Sequence, residues 1–190
     1  MIDGDTTMHD NIALPRGFQL QEYRIESVLG AGGFGMTYLA TDANLNMQVA
    51  IKEYLPTDLA ARGTDQSIHS RSDETLEKFA NGLARFLDES RTLASFHHPN
   101  IVRVKRFFEA NQTAYMVMEF VAGESLNDWI RSRRPIPAQA LTRMALALLD
   151  GMEVVHQSGY LHRDIKPRNI FLRRSGTPVL LDFGSARSVV

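Results

Sequence analysis

Two short stretches late in the chain concentrate side chains that could do chemistry. His162-Arg163-Asp164-Ile165-Lys166-Pro167-Arg168-Asn169 comes first, and Asp182-Phe183-Gly184 follows two brief apolar runs. Those runs, Ile170 to Leu172 and Val179 to Leu181, flank a turn containing Ser175 and Gly176 and predict a hairpin. Antiparallel pairing would bring Asn169 and Asp182 to the same end of it. An amide oxygen and a carboxylate at one spot suit Mg²⁺, a hard cation that takes oxygen ligands and keeps waters and phosphates in its shell. Asp164, five residues before Asn169, would receive or orient a hydroxyl proton, and Lys166 would neutralise charge on a transferred phosphoryl group. Taken singly, each of these residues also reads as ordinary loop polarity.

A second group lies near the start. Gly30, Gly32, Gly33 and Gly35 sit between β-like runs. Such a loop lets backbone N–H groups approach phosphate oxygens, although by itself it reads equally as a simple turn. A Rossmann fingerprint needs a helix directly after the glycines, and Met36-Thr37-Tyr38-Leu39-Ala40 is β-like instead. A P-loop is excluded because no Gly-Lys-Ser/Thr follows. Lys52 ends the apolar run Val49-Ala50-Ile51-Lys52, where alternation points it inward; the bland reading is a solvated edge lysine. Its candidate partner is Glu89, three residues after Phe86 and four before Leu93 on a predicted helix. A carboxylate beside that apolar stripe needs a cation, and the pair would hold the lysine beside phosphates.

The elements that must position these groups are visible in the pattern. Residues 1–16 are polar and aperiodic and predict a flexible lead-in. Strand-like runs follow at Tyr23 to Leu29, Thr37 to Ala40, Val49 to Tyr54, Ile101 to Phe108 and Ala114 to Phe120, with turn residues between most of them. One helix interrupts them, capped at Ser72, with Leu76, Phe79, Ala80, Leu83, Phe86, Leu87, Leu93 and Ala94 at steps of three and four. After Gly123 the pattern turns helical, over Ser125 to Arg133 and then Ala138 to Gln157, the latter started by Pro137 and ended by Gly159. Its apolar face carries Leu141, Met144, Ala145, Leu148, Leu149, Met152 and Val155.

Composition narrows the function classes. The 190 residues are 44% hydrophobic and 23% charged, an ordinary globular balance. Twenty-one Lys and Arg against 22 Asp and Glu leave no field to draw the chain to nucleic acid or an anionic membrane. The absence of cysteine excludes disulfides, thiolate-bound zinc and a thiol nucleophile, and fits a cytoplasmic setting. No secretory signal pattern and no run of about 18 apolar residues occurs.

Taken in order, Gly30-x-Gly32-x-x-Gly35, Val49-Ala50-Ile51-Lys52, the helix glutamate Glu89, His162-Arg163-Asp164 with Asn169, and Asp182-Phe183-Gly184 resemble the protein kinase superfamily. The stretches from Gly30 to Tyr38, Ile51 to Pro56 and His98 to Val104 look like the eukaryotic-like serine/threonine kinases of bacteria, and Lys166-Pro167 resembles serine/threonine rather than tyrosine kinases. The resemblance implies an α+β fold. Its parts would be a flexible tail (1–17), an antiparallel β-sheet lobe with one αC-type helix and a hinge (18–121), and an incomplete, mainly helical lobe (122–190). It implies ATP with Mg²⁺, for which Mn²⁺ can substitute, and transfer of the γ-phosphoryl to Ser/Thr of a protein substrate in bacterial signalling. Neither a nucleic-acid partner nor a membrane segment is implied.

By the same resemblance Gly30, Ala31, Gly32, Gly33, Phe34 and Gly35 would cover the phosphates. Thr37 and Ala50 would pack on adenine, Met118 would be the gatekeeper, and Glu119 to Val121 would bind adenine through backbone groups. Lys52 with Glu89 would hold phosphates, Asp164 and Lys166 would be catalytic, and Asn169 and Asp182 would bind metal. Arg163 implies control by a phosphorylated activation loop.

Three departures stand out. Thr37 replaces the usual valine of the glycine loop. Asp58 to Arg71 is long and polar and predicts a surface loop. The chain stops six residues after Gly184, before an Ala-Pro-Glu region and later helices, so part of the Leu141 to Val155 face is expected to be exposed. A kinase and a nucleotide-binding or interaction fragment of one therefore both remain as readings.

Overall fold

The computed structural model describes residues 12–33, 35–133, 135–183 and 187–188, so Phe34 and Gly184 of the candidate residues lie outside it. The chain divides into two compact units. One runs to Arg91 and resumes over Val104–Phe120; the other comprises Thr92–Arg103 and the chain from Val121 onward.

In the first unit, short alternating runs become β1 (Gln19–Leu20), β2 (Tyr23–Gly32), β3 (Gly35–Asp42) and β4 (Met47–Tyr54). A small hairpin, β5 (Ala60–Arg62) and β6 (Ile68–Ser70), and helix α1 (Asp73–Ser95) precede β7 (Val104–Ala110) and β8 (Thr113–Glu119). Six of the strands form one sheet in the order β1-β2-β3-β4-β8-β7, every neighbouring pair antiparallel. Side chains alternate across it, so Val49, Ile51 and Glu53 of β4 share one face and Ala50, Lys52 and Tyr54 the other. The glycine run is the tip of the β2–β3 hairpin, with Gly30 opposite Thr37 and Gly32 opposite Gly35. At Gly35, φ is +149° and a Cβ would stand 1.8 Å from the Glu53 carbonyl oxygen, so only glycine fits.

Three expectations change here. The polar segment from Asp58 to Arg71 is not an open loop: it contains the β5–β6 hairpin, with Ala60, Ser67 and Ile68 buried. The end of the lead-in is anchored at Leu14, which is buried and donates its N–H to the Tyr38 hydroxyl at 3.1 Å, while Pro15, Arg16 and Gly17 are exposed; residues 1–11 lie outside the description. Both changes share one cause, a carboxylate buried on the back of the sheet. Glu53 is fully buried and accepts from Tyr38 Oη (2.7 Å), Tyr115 Oη (2.7 Å) and Arg62 Nη2 (2.5 Å). Arg62 in turn donates to the carbonyls of Ile12 (2.6 Å) and Gln66 (2.9 Å), tying hairpin and lead-in onto the sheet. Burial, and next the Glu53 charge, push both tyrosine hydroxyls well above their ordinary pKa, so they remain donors.

The third change splits the run from Ile101 to Phe108. Strand β7 begins only at Val104, while Ile101 bridges Leu180 and the Val102 N–H donates to the Leu180 carbonyl at 2.9 Å. The Asn100 side chain anchors this stretch by donating to the Pro178 carbonyl at 2.6 Å. One apolar run thus serves two units.

Helix α1 opens at Asp73, and Thr75 organises its start by donating to the Ser72 carbonyl at 2.9 Å. Its buried stripe is narrower than the periodicity implied. Phe79, Phe86, Ser90 and Leu93 are buried, whereas Leu76 is 56% exposed.

The second unit begins with the last turn of α1 and adds β9 (Gly123–Ser125), α2 (Leu126–Ser132), α3 (Ala138–Gln157), β10 (Tyr160–Leu161), a 3₁₀ turn (Pro167–Asn169), β11 (Ile170–Arg173), β12 (Pro178–Leu180) and β13 (Arg187–Ser188). Ser125 caps α2 by accepting from the Asp128 N–H at 3.1 Å. Helix α3 starts after Pro137, and Gly159 follows its end at φ +76°. Met144, Gly151, Met152 and Val155 are its buried face, and Leu141, Leu146 and Leu149 are exposed. Strand β11 pairs with both β12 and β9, and at Gly123 a Cβ would lie 1.9 Å from the Leu172 carbonyl oxygen.

Candidate functional site

Each unit carries one cluster. In the first, strand register gathers residues that are far apart in sequence. Lys52 lies opposite Thr37 on β3 and Met116 on β8, and Ala50 lies opposite Leu39 and Met118. Thr37, Ala50, Lys52 and Met118 therefore share the sheet face that bears Tyr54. Leu39 and Met116 share it too; they escaped the sequence reading, although period-two register from Thr37 and Met118 points to both.

Helix α1 faces this surface through Glu89. Lys52 Nζ and Glu89 Oε1 are 3.9 Å apart, with both side chains about 85% buried. At the tip of the β2–β3 hairpin, a Cβ added to Gly30, Gly32 or Gly33 would meet no atom beyond its chain neighbours within 4 Å. Packing does not require glycine at those three positions, in contrast to Gly35. Glu119 ends β8, and Val121, buried, belongs to the second unit.

In the second unit, the β11–β12 register ends with the Leu181 N–H donating to the Asn169 carbonyl at 2.9 Å. Asp182 is the next residue, at the same end of the hairpin as Asn169. Asn169 is buried and donates its side-chain amide to the Asp164 carbonyl (3.0 Å) and to Asp164 Oδ2 (2.9 Å). Lys166 Nζ donates to the same Oδ2 at 2.7 Å. The Lys166 hydrogen bond, helped by that of Asn169, holds the Asp164 carboxyl below its ordinary pKa, so it is an acceptor at neutral pH.

The preceding residues fix this loop. His162 is buried against Phe183, ring centroids 4.4 Å apart, and its Nδ1 accepts the Asp164 N–H at 3.2 Å. Burial is the leading influence on its pKa and keeps the imidazole neutral, as that acceptor role requires. Arg163 adopts φ +64°, a left-handed conformation uncommon outside glycine, which turns the chain between the buried His162 and the part-exposed Asp164.

The donor set fits Mg²⁺. With the Asn169 amide nitrogen committed to Asp164, its oxygen is the donor atom available to a cation, and Asp182 adds a carboxylate. No cluster of three or more His, Asp or Glu able to hold a metal occurs among the described residues. Two protein oxygens suit a cation that takes the rest of its shell from water and phosphate.

A curled antiparallel sheet with one helix carrying a lysine–glutamate pair, together with a His-Arg-Asp loop set beside a Asn169/Asp182 hairpin, defines the protein kinase class. The chain belongs to that family: the protein kinase domain model matches residues 23–190. It is 34% identical over 171 residues to a probable serine/threonine-protein kinase of Streptomyces coelicolor, covering 88% of this chain and 23% of the relative. It is 37% identical over 171 residues to the serine/threonine-protein kinase pkn2 of Myxococcus xanthus, covering 88% and 18%. The chain thus spans about a fifth of the length of these relatives. Among solved structures, the apo form of PpkA-294 superposes with a TM-score of 0.85 at 43% identity, covering 92% of this chain and 62% of that one. The PknI kinase domain of Mycobacterium tuberculosis gives 0.69 at 25% identity, with 90% and 62% covered. No helix among the described residues is long and apolar enough to cross a membrane.

Proposed function

We propose that the chain supplies the catalytic apparatus of a bacterial serine/threonine protein kinase acting in the cytoplasm, moving the γ-phosphoryl of ATP to a Ser or Thr hydroxyl of a protein. The observation that carries this most strongly is Asp164 Oδ2, held at once by Lys166 and Asn169. A carboxylate ionised and aimed in this way is suited to orient a substrate hydroxyl and take its proton as the new O–Pγ bond forms and the bond from Pγ to the β-phosphate oxygen breaks. Lys166 would offset charge on the moving phosphoryl group.

Lys52, oriented by Glu89, would hold phosphate oxygens, and the backbone of Gly30, Ala31, Gly32, Gly33, Phe34 and Gly35 would cover them. Adenine would lie on Thr37, Ala50 and Met118, with backbone contacts from Glu119 and Val121. Asn169 and Asp182 would bind Mg²⁺, which neutralises phosphate charge when present; Mn²⁺ has the same ligand preference.

Purified chain given Mg-ATP labelled at the γ position should transfer label to itself or to a generic basic protein. A folded chain that transfers none would leave the second reading, a nucleotide-binding fragment. Within the first reading, Glu89→Ala should lower transfer on the order of a hundredfold, because Lys52 loses its positioning partner. Glu77→Ala, on an exposed part of the same helix, should leave the rate near wild type. Equal rates for the two variants would reject the pairing.

A further inference from the structure

Helix α1 has a glycine in its interior at Gly82, where intrinsic propensity favours alanine. The reason lies on β4. A Cβ at Gly82 would stand 2.0 Å from Tyr54 Oη and 3.0 Å from Tyr54 Cζ. The tyrosine ring lies directly against the helix backbone at this position, and its hydroxyl donates to the Phe79 carbonyl at 3.3 Å. Phe79 and Phe86 hold the ring from either side of the glycine, with centroids 5.3 and 5.8 Å away. Tyr54 is 4% exposed, so the ring has little room to swing aside.

This contact is in register with the Lys52–Glu89 pair. Tyr54 lies two residues beyond Lys52 on the same face of β4, about 7 Å along the strand. Gly82 lies seven residues before Glu89, about two helical turns away and so on the same side of α1. Strand and helix therefore meet at two successive points, Tyr54 on Gly82 and Lys52 on Glu89. The second has no slack, since 3.9 Å is already long for an ion pair.

We propose that Gly82 is a positioning residue: by admitting the Tyr54 ring against the helix backbone, it sets the distance of α1 from β4 and thereby places Glu89 within reach of Lys52. Normal contact between a new Cβ and Tyr54 Oη needs about 1.4 Å more than the structure leaves. A helix displaced by that amount withdraws the glutamate. The catalytic consequence rests on the kinase reading; the geometric claim does not.

The test compares Gly82→Ala, Tyr54→Leu and the double variant. Gly82→Ala should lengthen the Nζ–Oε1 separation in a crystal structure and lower the kcat of phosphoryl transfer on the order of a hundredfold. Added to Tyr54→Leu, which removes the obstructing ring tip, the same Gly82→Ala change should cause no further loss. A Gly82→Ala protein with the pair still at 3.9 Å and wild-type kcat overturns the proposal, as does equal harm from Gly82→Ala in both backgrounds. If Gly82→Ala fails to fold alone but folds alongside Tyr54→Leu, the pin stands; failure in both overturns it. A wild-type chain without transfer would count against the kinase reading alone, because the crystallographic distance still decides the pin.

Discussion

Asp164→Asn should lower phosphoryl transfer by about a thousandfold or more, within the range attributed to loss of a positioned general base. The substitution is nearly isosteric, and an amide oxygen at this place can still accept from Lys166 or Asn169, which now reach Oδ2 at 2.7 and 2.9 Å. The loop should therefore keep its shape while the side chain loses its negative charge and its ability to accept the hydroxyl proton. Circular dichroism and the unfolding midpoint should match wild type, which separates lost chemistry from lost structure. Transfer persisting at more than a tenth of the wild-type rate would remove Asp164 from the role assigned to it.

Glu53→Ala should destabilise the first unit by about 3–5 kcal/mol, the usual penalty for breaking a buried ion pair by removing one partner. The Glu53 and Arg62 side chains are 0% and 3% exposed, so the guanidinium left behind would be desolvated without its counter-ion. Both tyrosine hydroxyls would lose an acceptor as well. In a chain of this size the loss corresponds to a fall of about 10 °C in the thermal midpoint. Arg62→Met should be similarly harmful for the mirror-image reason, whereas Glu53→Leu combined with Arg62→Met should be milder than either, since no charge is then stranded. Single variants within 1 °C of wild type would show that the network contributes little.

Much of the architecture could be read from periodicity. Strands β2, β3, β4 and β8 and helix α3 follow the apolar spacing closely, and the lysine strand and the His-Arg-Asp loop announce themselves by residue type. The β11–β12 register puts Asn169 and Asp182 at one end of their hairpin because a two-strand turn leaves few alternatives. The resemblance to kinases added roles for Thr37, Ala50 and Met118, and strand register places these three on one face with Lys52.

What escaped the sequence has a common character. Arg62 lies in the polar segment from Asp58 to Arg71, which reads as solvated, nine residues after Glu53, and only the packed sheet shows that the two side chains are buried together. The same holds for Ile12 to Leu14, whose value to the fold lies in backbone groups that satisfy Arg62 and Tyr38. Leu76 and Phe79 belong to the same apolar repeat of α1, three residues apart, yet one is 56% exposed and the other 7%.

Residue types and local spacing decide what chemistry a segment can perform and which elements it forms, because those depend on side-chain functional groups and short-range backbone preferences. Tertiary packing alone decides which charges lose their water and how closely two elements approach, because desolvation and steric exclusion depend on atoms brought from distant parts of the chain. The lysine and glutamate of this protein are written in its sequence; the distance between them is set where Tyr54 meets the bare backbone of Gly82.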